Sequence, residues 1–202
     1  MRTKAAKALL DTGAVFFRPE EPFTWASGIQ SPVYTDNRLV LTSPEARKVI
    51  EEGLIDLIGK TYSQAEALFG TATAGIPHAA IAGYAMDLPM GYVRSGAKDH
   101  GRANRIEGRV QEGQKVVVIE DLISTGGSCI EAAKALQEAG AEVLGVICIF
   151  SYNLQKSRDA FAEAGFAYHS LTDFDCVVQT AAETGYISED DKAQLKEFRD
   201  SL

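Results

Sequence analysis

Glu120 and Asp121 stand side by side at the end of an apolar run, Val116-Val117-Val118-Ile119, and a stretch of small and hydroxylated residues follows, Leu122-Ile123-Ser124-Thr125-Gly126-Gly127-Ser128. Successive backbone N–H groups around Thr125-Gly126-Gly127, with a helix N-terminus behind them, make an anion cradle. Glycine lets the backbone come close to a phosphate, and Ser124, Thr125 and Ser128 add hydroxyl donors. Two carboxylates beside such a cradle repel a bare phosphate. They suit a phosphorylated sugar, because they accept hydrogen bonds from ribose hydroxyls and stabilise positive charge at an anomeric carbon. The loop holds no Lys and no G-x-x-x-x-G-K-[ST], so it is not a nucleoside-triphosphate P-loop.

A second constellation runs from Tyr92 to Gly108, with Arg94, Lys98, His100, Arg102 and Arg105 in a polar, glycine-bearing loop after a short strand. A cationic loop of this kind suits a lid that neutralises diphosphate and excludes water. In such a lid His100 could give a proton to a departing diphosphate and Lys98 could match its charge. A third segment, Phe23 to Arg38, carries aromatic residues among turn signals. A fourth, Gly70-Thr71-Ala72-Thr73-Ala74-Gly75-Ile76-Pro77, offers small residues at a strand's carboxyl end, where diphosphate can meet backbone amides. His78 and His169 show no partner pattern and read as helix-face or core residues. Cys129, Cys148 and Cys176 are widely spaced, without metal-ligand spacing, and read as small buried residues in a reducing cytosol.

The elements that must position these groups alternate. Ala67–Gly70, Gly91–Arg94, Lys115–Asp121 and Val143–Phe150 read as strands, the last two nearly continuous and apolar, as strands covered on both faces are. Helices are expected after the cap Ser43-Pro44 to about Ile58, over Ile76–Met86, over Gly126–Ala139 with its stop at Gly140, over Leu154–Ala164 and over Glu189–Leu202. The N-terminal MRTKAAKALLDTG reads as a first helix rather than a signal peptide. The implied class is α/β, a mostly parallel twisted sheet flanked by helices. Residues 1–202 form one domain, in which about 1–40 break the rhythm and make a small N-terminal hood over the sheet.

The chain has 202 residues, of which 46% are hydrophobic and 24% charged, values of an ordinary globular domain. No apolar run approaches the roughly 20 residues needed to cross a bilayer, so no membrane association is expected. The net charge of −8 argues against nucleic-acid binding. A cytoplasmic location follows.

Val116–Ser128 resembles the phosphoribosyl-diphosphate signature of type I phosphoribosyltransferases. The resemblance implies that Glu120 and Asp121 hold the ribose hydroxyls and that Ser124–Ser128 wrap the 5-phosphate, with Leu122 and Ile123 in the same binding segment. Arg94, Lys98, His100 and Gly101 match the R-x-x-x-K-x-H-G core of the catalytic loop of orotate phosphoribosyltransferases, which makes Arg94, Lys98 and His100 catalytic and donor-binding. Phe23, Ser27, Gly28, Ser31, Pro32 and Tyr34 match that family's F-x-x-x-S-G-x-x-S-P-x-Y hood motif. It implies contacts of Ser27, Gly28, Tyr34 and Ser124 with orotate. Ser95, Ala26 and Ala74 stand where some members carry Lys.

The family resemblance implies transfer of the 5-phosphoribosyl group from 5-phosphoribosyl 1-diphosphate to orotate, giving orotidine 5′-phosphate and diphosphate in pyrimidine biosynthesis. Mg²⁺ is then held through the substrate rather than by direct protein ligands, and the family's loop implies a homodimer with shared active sites. Alternatives are a phosphoribosyltransferase for another nucleobase, or a donor-sensing regulatory protein of the same fold. No Arg after Phe150 stands out as the partner of the orotate carboxylate.

Overall fold

A computed structural model describes residues 1–18, 21–24, 30–96 and 105–202. The chain begins with α1 (Arg2–Asp11) and four short strands, β1 (Val15–Phe17), β2 (Phe23–Thr24), β3 (Gln30–Ser31) and β4 (Val33–Thr35). A 3-10 helix (Asn37–Thr42), α2 (Pro44–Thr61), β5 (Ala67–Thr71), α3 (Gly75–Met86), β6 (Met90–Val93) and β7 (Ile106–Glu107) follow. The second half contains β8 (Lys115–Ile123), α4 (Gly127–Glu138), β9 (Glu142–Ser151), α5 (Gln155–Ala164), β10 (Tyr168–Asp173), α6 (Phe174–Glu183) and α7 (Glu189–Asp200).

Six strands make the main sheet in the order β10-β9-β8-β5-β6-β7, parallel except for the antiparallel edge strand β7. The α/β class with a mostly parallel sheet is therefore the fold. From β5 the chain steps through α3 to β6 on one side and then returns to place β8 on the other. The ends of β5 and β8 thus frame the crevice where open parallel sheets take their ligands.

Side chains alternate across β8, and each face finds its own cover. Val117 and Ile119 pack with α1, α2, α3 and α6, whereas Val116 and Val118 pack with α4 and Phe161 of α5. This two-sided burial is the reason the strand's sequence shows no polar alternation. In the N-terminal segment β1 pairs with β4 and β2 with β3, both antiparallel. By contrast α1 packs into the main body, with Ala5, Ala6 and Leu9 fully buried in the same cluster as α2 and α6.

Local chemistry explains the helix ends. Ser43 Oγ accepts from Ala46 N, with Pro44 in the first turn. Ser188 and Asp191 form a capping box at the start of α7. Gly140 follows α4 with a positive φ of 96°.

Besides the short strands of the N-terminal segment, the 3-10 helix and β7, two larger elements were not anticipated. The strand β10 is polar and half-exposed at the sheet edge, and α6 starts directly after it, where Asp173 accepts from Cys176 N. Of the cysteines, Cys129 and Cys148 are buried, while Cys176 is only partly so.

Candidate functional site

β8 runs two residues further than the sequence suggests, with Leu122 opposite Phe150 and Ile123 opposite Ser151. The acidic pair therefore lies inside the last turn of pleating rather than at the strand's last residue. Ile123 turns into the core on one face of the sheet, and the half-buried Leu122 packs against the core on the other. These two residues anchor the loop that follows.

The loop closes at Gly126, whose φ of +85° is a left-handed conformation that favours glycine. A Cβ there would lie 2.6 Å from the Phe161 ring, so α5 forms the wall behind the turn. Gly127, with open space around it, begins α4, and no side chain caps that helix. Its first N–H groups are left to an external acceptor, and the helix dipole favours an anion there. Thr125 and Ser128 are exposed and Ser124 is half-buried at the same mouth.

Glu120 is 6% exposed. Its Oε1 accepts from the Asp121 N–H at 2.9 Å and its Oε2 from Ser128 Oγ at 3.4 Å. The Thr71 hydroxyl donates to the Ile119 carbonyl at 3.3 Å and lies within reach of the Glu120 carboxyl too. Burial, followed by the neighbouring Asp121 carboxyl, pushes the Glu120 pKa up to about 8. Among the described residues no cation offsets it. Burial likewise raises the Cys129 thiol beneath this pair to about 12, which leaves it an inert packing group.

At the end of β5, Gly70 and Gly75 let α3 start close against the strands. A Cβ on Gly75 would run into the Ile119 carbonyl and lie 2.7 Å from Thr71 Oγ1. Gly75→Ala is accordingly expected to destabilise the fold by roughly 1–3 kcal/mol, the range for overpacking against backbone, as read by chemical denaturation; unchanged stability would contradict this packing. The Ala72–Thr73 peptide in this turn is cis. Arg94 leaves β6 toward the same place. Its backbone N–H bonds the Arg105 carbonyl at 2.8 Å, and its guanidinium lies 3.7 Å from Glu107. Thr71, Ala72, Arg94, Ser95, Ser128 and Glu131 line one cleft. The structure thus brings the loop after β5, Arg94 and the cradle's last hydroxyl together.

The remaining wall is β4 and the residues that follow it. Tyr34 is 41% exposed and its ring centroid lies 5.5 Å from that of Phe23. Thr35 Oγ1 lies 3.1 Å from Tyr152 Oη. Asn37 Nδ2 donates to the Asp121 carbonyl at 2.7 Å. Arg38 is held in a fork by Asp36, at 2.6 and 2.8 Å, close enough to Tyr34 and Asp121 to feel their charge. Lys98, His100, Ser27 and Gly28 lie outside the described residues.

Sequence reading missed Asn37, Thr35 and Tyr152. No spacing pattern joins them, since 84 residues separate Asn37 from Asp121 and 117 separate Thr35 from Tyr152. His78 lacks a sequence signal for its partner yet has one: its Nδ1 lies 2.6 Å from Glu51 Oε1, with both residues buried between α2 and α3. His169 is exposed on the edge strand. A cleft of about 920 Å³ between α5 and the C-terminal helix shares no residue with the acidic pair or the cradle. Its Arg199 is already paired with Asp175 and Asp200.

Comparison with known proteins matches a phosphoribosyl transferase domain over residues 40–173. An orotate phosphoribosyltransferase of Bacillus subtilis (strain 168) is 58% identical, over 96% of this chain and 90% of its own. One from Streptococcus agalactiae serotype III is 53% identical, over 96% and 93%. Among solved structures, the orotate phosphoribosyltransferase of Aeropyrum pernix is similar with a TM-score of 0.78 and 28% identity, covering 91% of this chain and 99% of its own.

Proposed function

The chain belongs to the orotate phosphoribosyltransferases, within the phosphoribosyl transferase domain family, and from that premise we propose how its strand ends carry the reaction. The protein is a glycosyltransferase of pyrimidine biosynthesis. It moves the 5-phosphoribosyl group from 5-phosphoribosyl 1-diphosphate to orotate, releasing diphosphate.

The observation that carries the assignment of roles is the meeting of an uncapped helix start with an acidic pair whose first member, Glu120, is buried without a cation partner among the described residues. The donor's 5-phosphate takes the N–H groups of Thr125 to Ser128 and the hydroxyls of Ser124, Thr125 and Ser128. Leu122 and Ile123 hold that loop to the sheet through their burial. Glu120 and Asp121 accept the ribose hydroxyls. The diphosphate lies toward the turn after β5 and Arg94, with Lys98 and His100 closing over it. Orotate lies under the hood, against Tyr34, Ser27, Gly28 and the side of Ser124.

The bond from C1 to the diphosphate oxygen breaks first, its electron pair leaving with diphosphate, and the ribose becomes oxocarbenium-like. Glu120 and Asp121 stabilise that positive charge. The orotate ring nitrogen then closes a bond to C1, its proton passing to solvent, while His100 gives a proton to the departing diphosphate.

Mg²⁺ fits a mouth in which the buried Glu120 carboxyl has no cation partner among the described residues. Brought in with the donor, with Glu120 and Asp121 the residues to meet it, it would supply charge neutralisation for the leaving group. The active unit is a homodimer sharing lid residues between sites, and it works in the cytoplasm. No helix among the described residues is long and apolar enough to cross a membrane.

Ultraviolet monitoring of orotate with the donor tests the reading. Orotate is expected to disappear with Mg²⁺ present and far more slowly with chelator. Consumption of uracil or a purine in preference to orotate would transfer the site to another base.

A further inference from the structure

We infer that Asn37 is a positioning residue that fixes Asp121 for the donor's ribose and ties that carboxylate to the hood. The inference deepens the reading above and rests on it.

The backbone of β8 creates the need. Its pairing with β5 ends at Gly70 opposite Ile119. The Ile119 carbonyl faces the β5 side, where the Thr71 hydroxyl reaches it at 3.3 Å. Carbonyls two residues apart on a strand point the same way, so the Asp121 carbonyl faces a side on which β5 has already ended. A carbonyl so placed must find another donor. Asn37 Nδ2 supplies it at 2.7 Å, standing in for the missing strand.

The choice of residue is informative. Asn37 is 1% exposed, and its Oδ1 is buried without a partner among the described residues. An amide retained with one buried atom unsatisfied is a cost that packing alone does not explain. The amide donor is what the site uses. With its carbonyl pinned, Asp121 has a fixed Cα–Cβ direction, and the adjoining N–H, which bonds Glu120 Oε1, is fixed with it. On the open side of β8 this one hydrogen bond thus helps aim both ribose-facing carboxylates, beside the pairing with β9 and the Ser128 contact.

That bond comes from the hood. Asn37 follows Tyr34 by three residues, and the Asp36–Arg38 fork stiffens the backbone on either side of it. A shift of the hood on seizing orotate is felt at Asp121, and donor binding is felt at the hood, as reciprocal coupling requires. The second tie, Thr35 to Tyr152, holds the same hood to the residue that follows β9. It serves as the control.

Calorimetric titration of the full-length protein with 5-phosphoribosyl 1-diphosphate and Mg²⁺, without orotate, separates the roles. Asn37→Ala and Asn37→Leu are expected to bind the donor roughly tenfold more weakly, the worth of one hydrogen bond to a buried group. The Leu variant keeps the volume, and carries the test where a cavity would unfold the Ala variant. Tyr152→Phe is expected to bind the donor as the wild type does, while its KM for orotate rises. Wild-type donor affinity in a folded Asn37→Leu protein, with only the KM for orotate raised, would overturn the inference and leave Asn37 as a hood dock. Absence of donor binding in the wild type itself would instead overturn the reading on which it rests.

Discussion

A Lys98→Ala/His100→Ala double variant is expected to turn over orotate about 10² to 10⁴ times more slowly than the wild type, the span that positioned proton transfer and lid closure supply. Its melting temperature is expected to stay close to the wild-type value. The argument is chemical. Departing diphosphate accumulates negative charge as the C1 bond breaks, and Arg94 is already 3.7 Å from Glu107, a neighbour that offsets part of its charge. On the reading proposed above, Lys98 and His100 carry the rest of the neutralisation and the proton. If they act as one unit, each single variant falls nearly as far as the double, because removing either disables the step. Donor affinity measured without turnover should fall less than kcat, since the lid acts most strongly when charge has developed. A purified double variant with normal turnover would remove the lid from the mechanism.

How much of this was legible follows from how each feature is encoded. Contiguous features were open to reading. Val116–Ser128 carries strand, acid pair, cradle and helix start in one segment, and its order matches the structure except that β8 continues through Leu122 and Ile123. That extension escaped because a bulky apolar pair before a glycine turn fits a loop or a strand equally well, and only pairing with Phe150 and Ser151 decides it. Strand β10 escaped for the opposite reason. As a sheet edge it keeps one side wet, so Tyr168, His169 and Ser170 hide the period that burial imposes elsewhere. Contacts between distant segments were closed to sequence reading altogether. Asn37 to Asp121, Thr35 to Tyr152 and His78 to Glu51 join residues whose types are individually unremarkable, and the fold alone brings them within 2.6 to 3.1 Å. The site is thus written in two ways, with its chemistry local and its alignment tertiary.

The last expectation concerns protons. Burial holds the Glu120 pKa near 8 in the free protein, above its ordinary value of 4.5. A group whose folded pKa is raised stabilises the fold fully below its unfolded pKa and loses that contribution as pH rises through the folded one. The window is therefore about pH 4.5 to 8, over which this group alone costs the free protein on the order of a few kcal/mol. Glu120→Gln, which keeps the shape and cannot ionise, should match the wild type in stability near pH 5 and exceed it increasingly toward pH 9. Function runs the other way. Accepting ribose hydroxyls and opposing an oxocarbenium charge both want the carboxylate, and a cation carried in with the donor favours that form. Donor binding near pH 7 should hence expel close to one proton, visible as a binding enthalpy that changes with the ionisation enthalpy of the buffer, and affinity should rise as pH approaches 8. The Gln variant should show neither effect and should turn over about 10² times more slowly, having lost one carboxylate aimed at the developing charge. Binding by the wild type with no proton released at pH 7 would mean that Glu120 is already ionised in the free protein, and the burial argument for its pKa would fall.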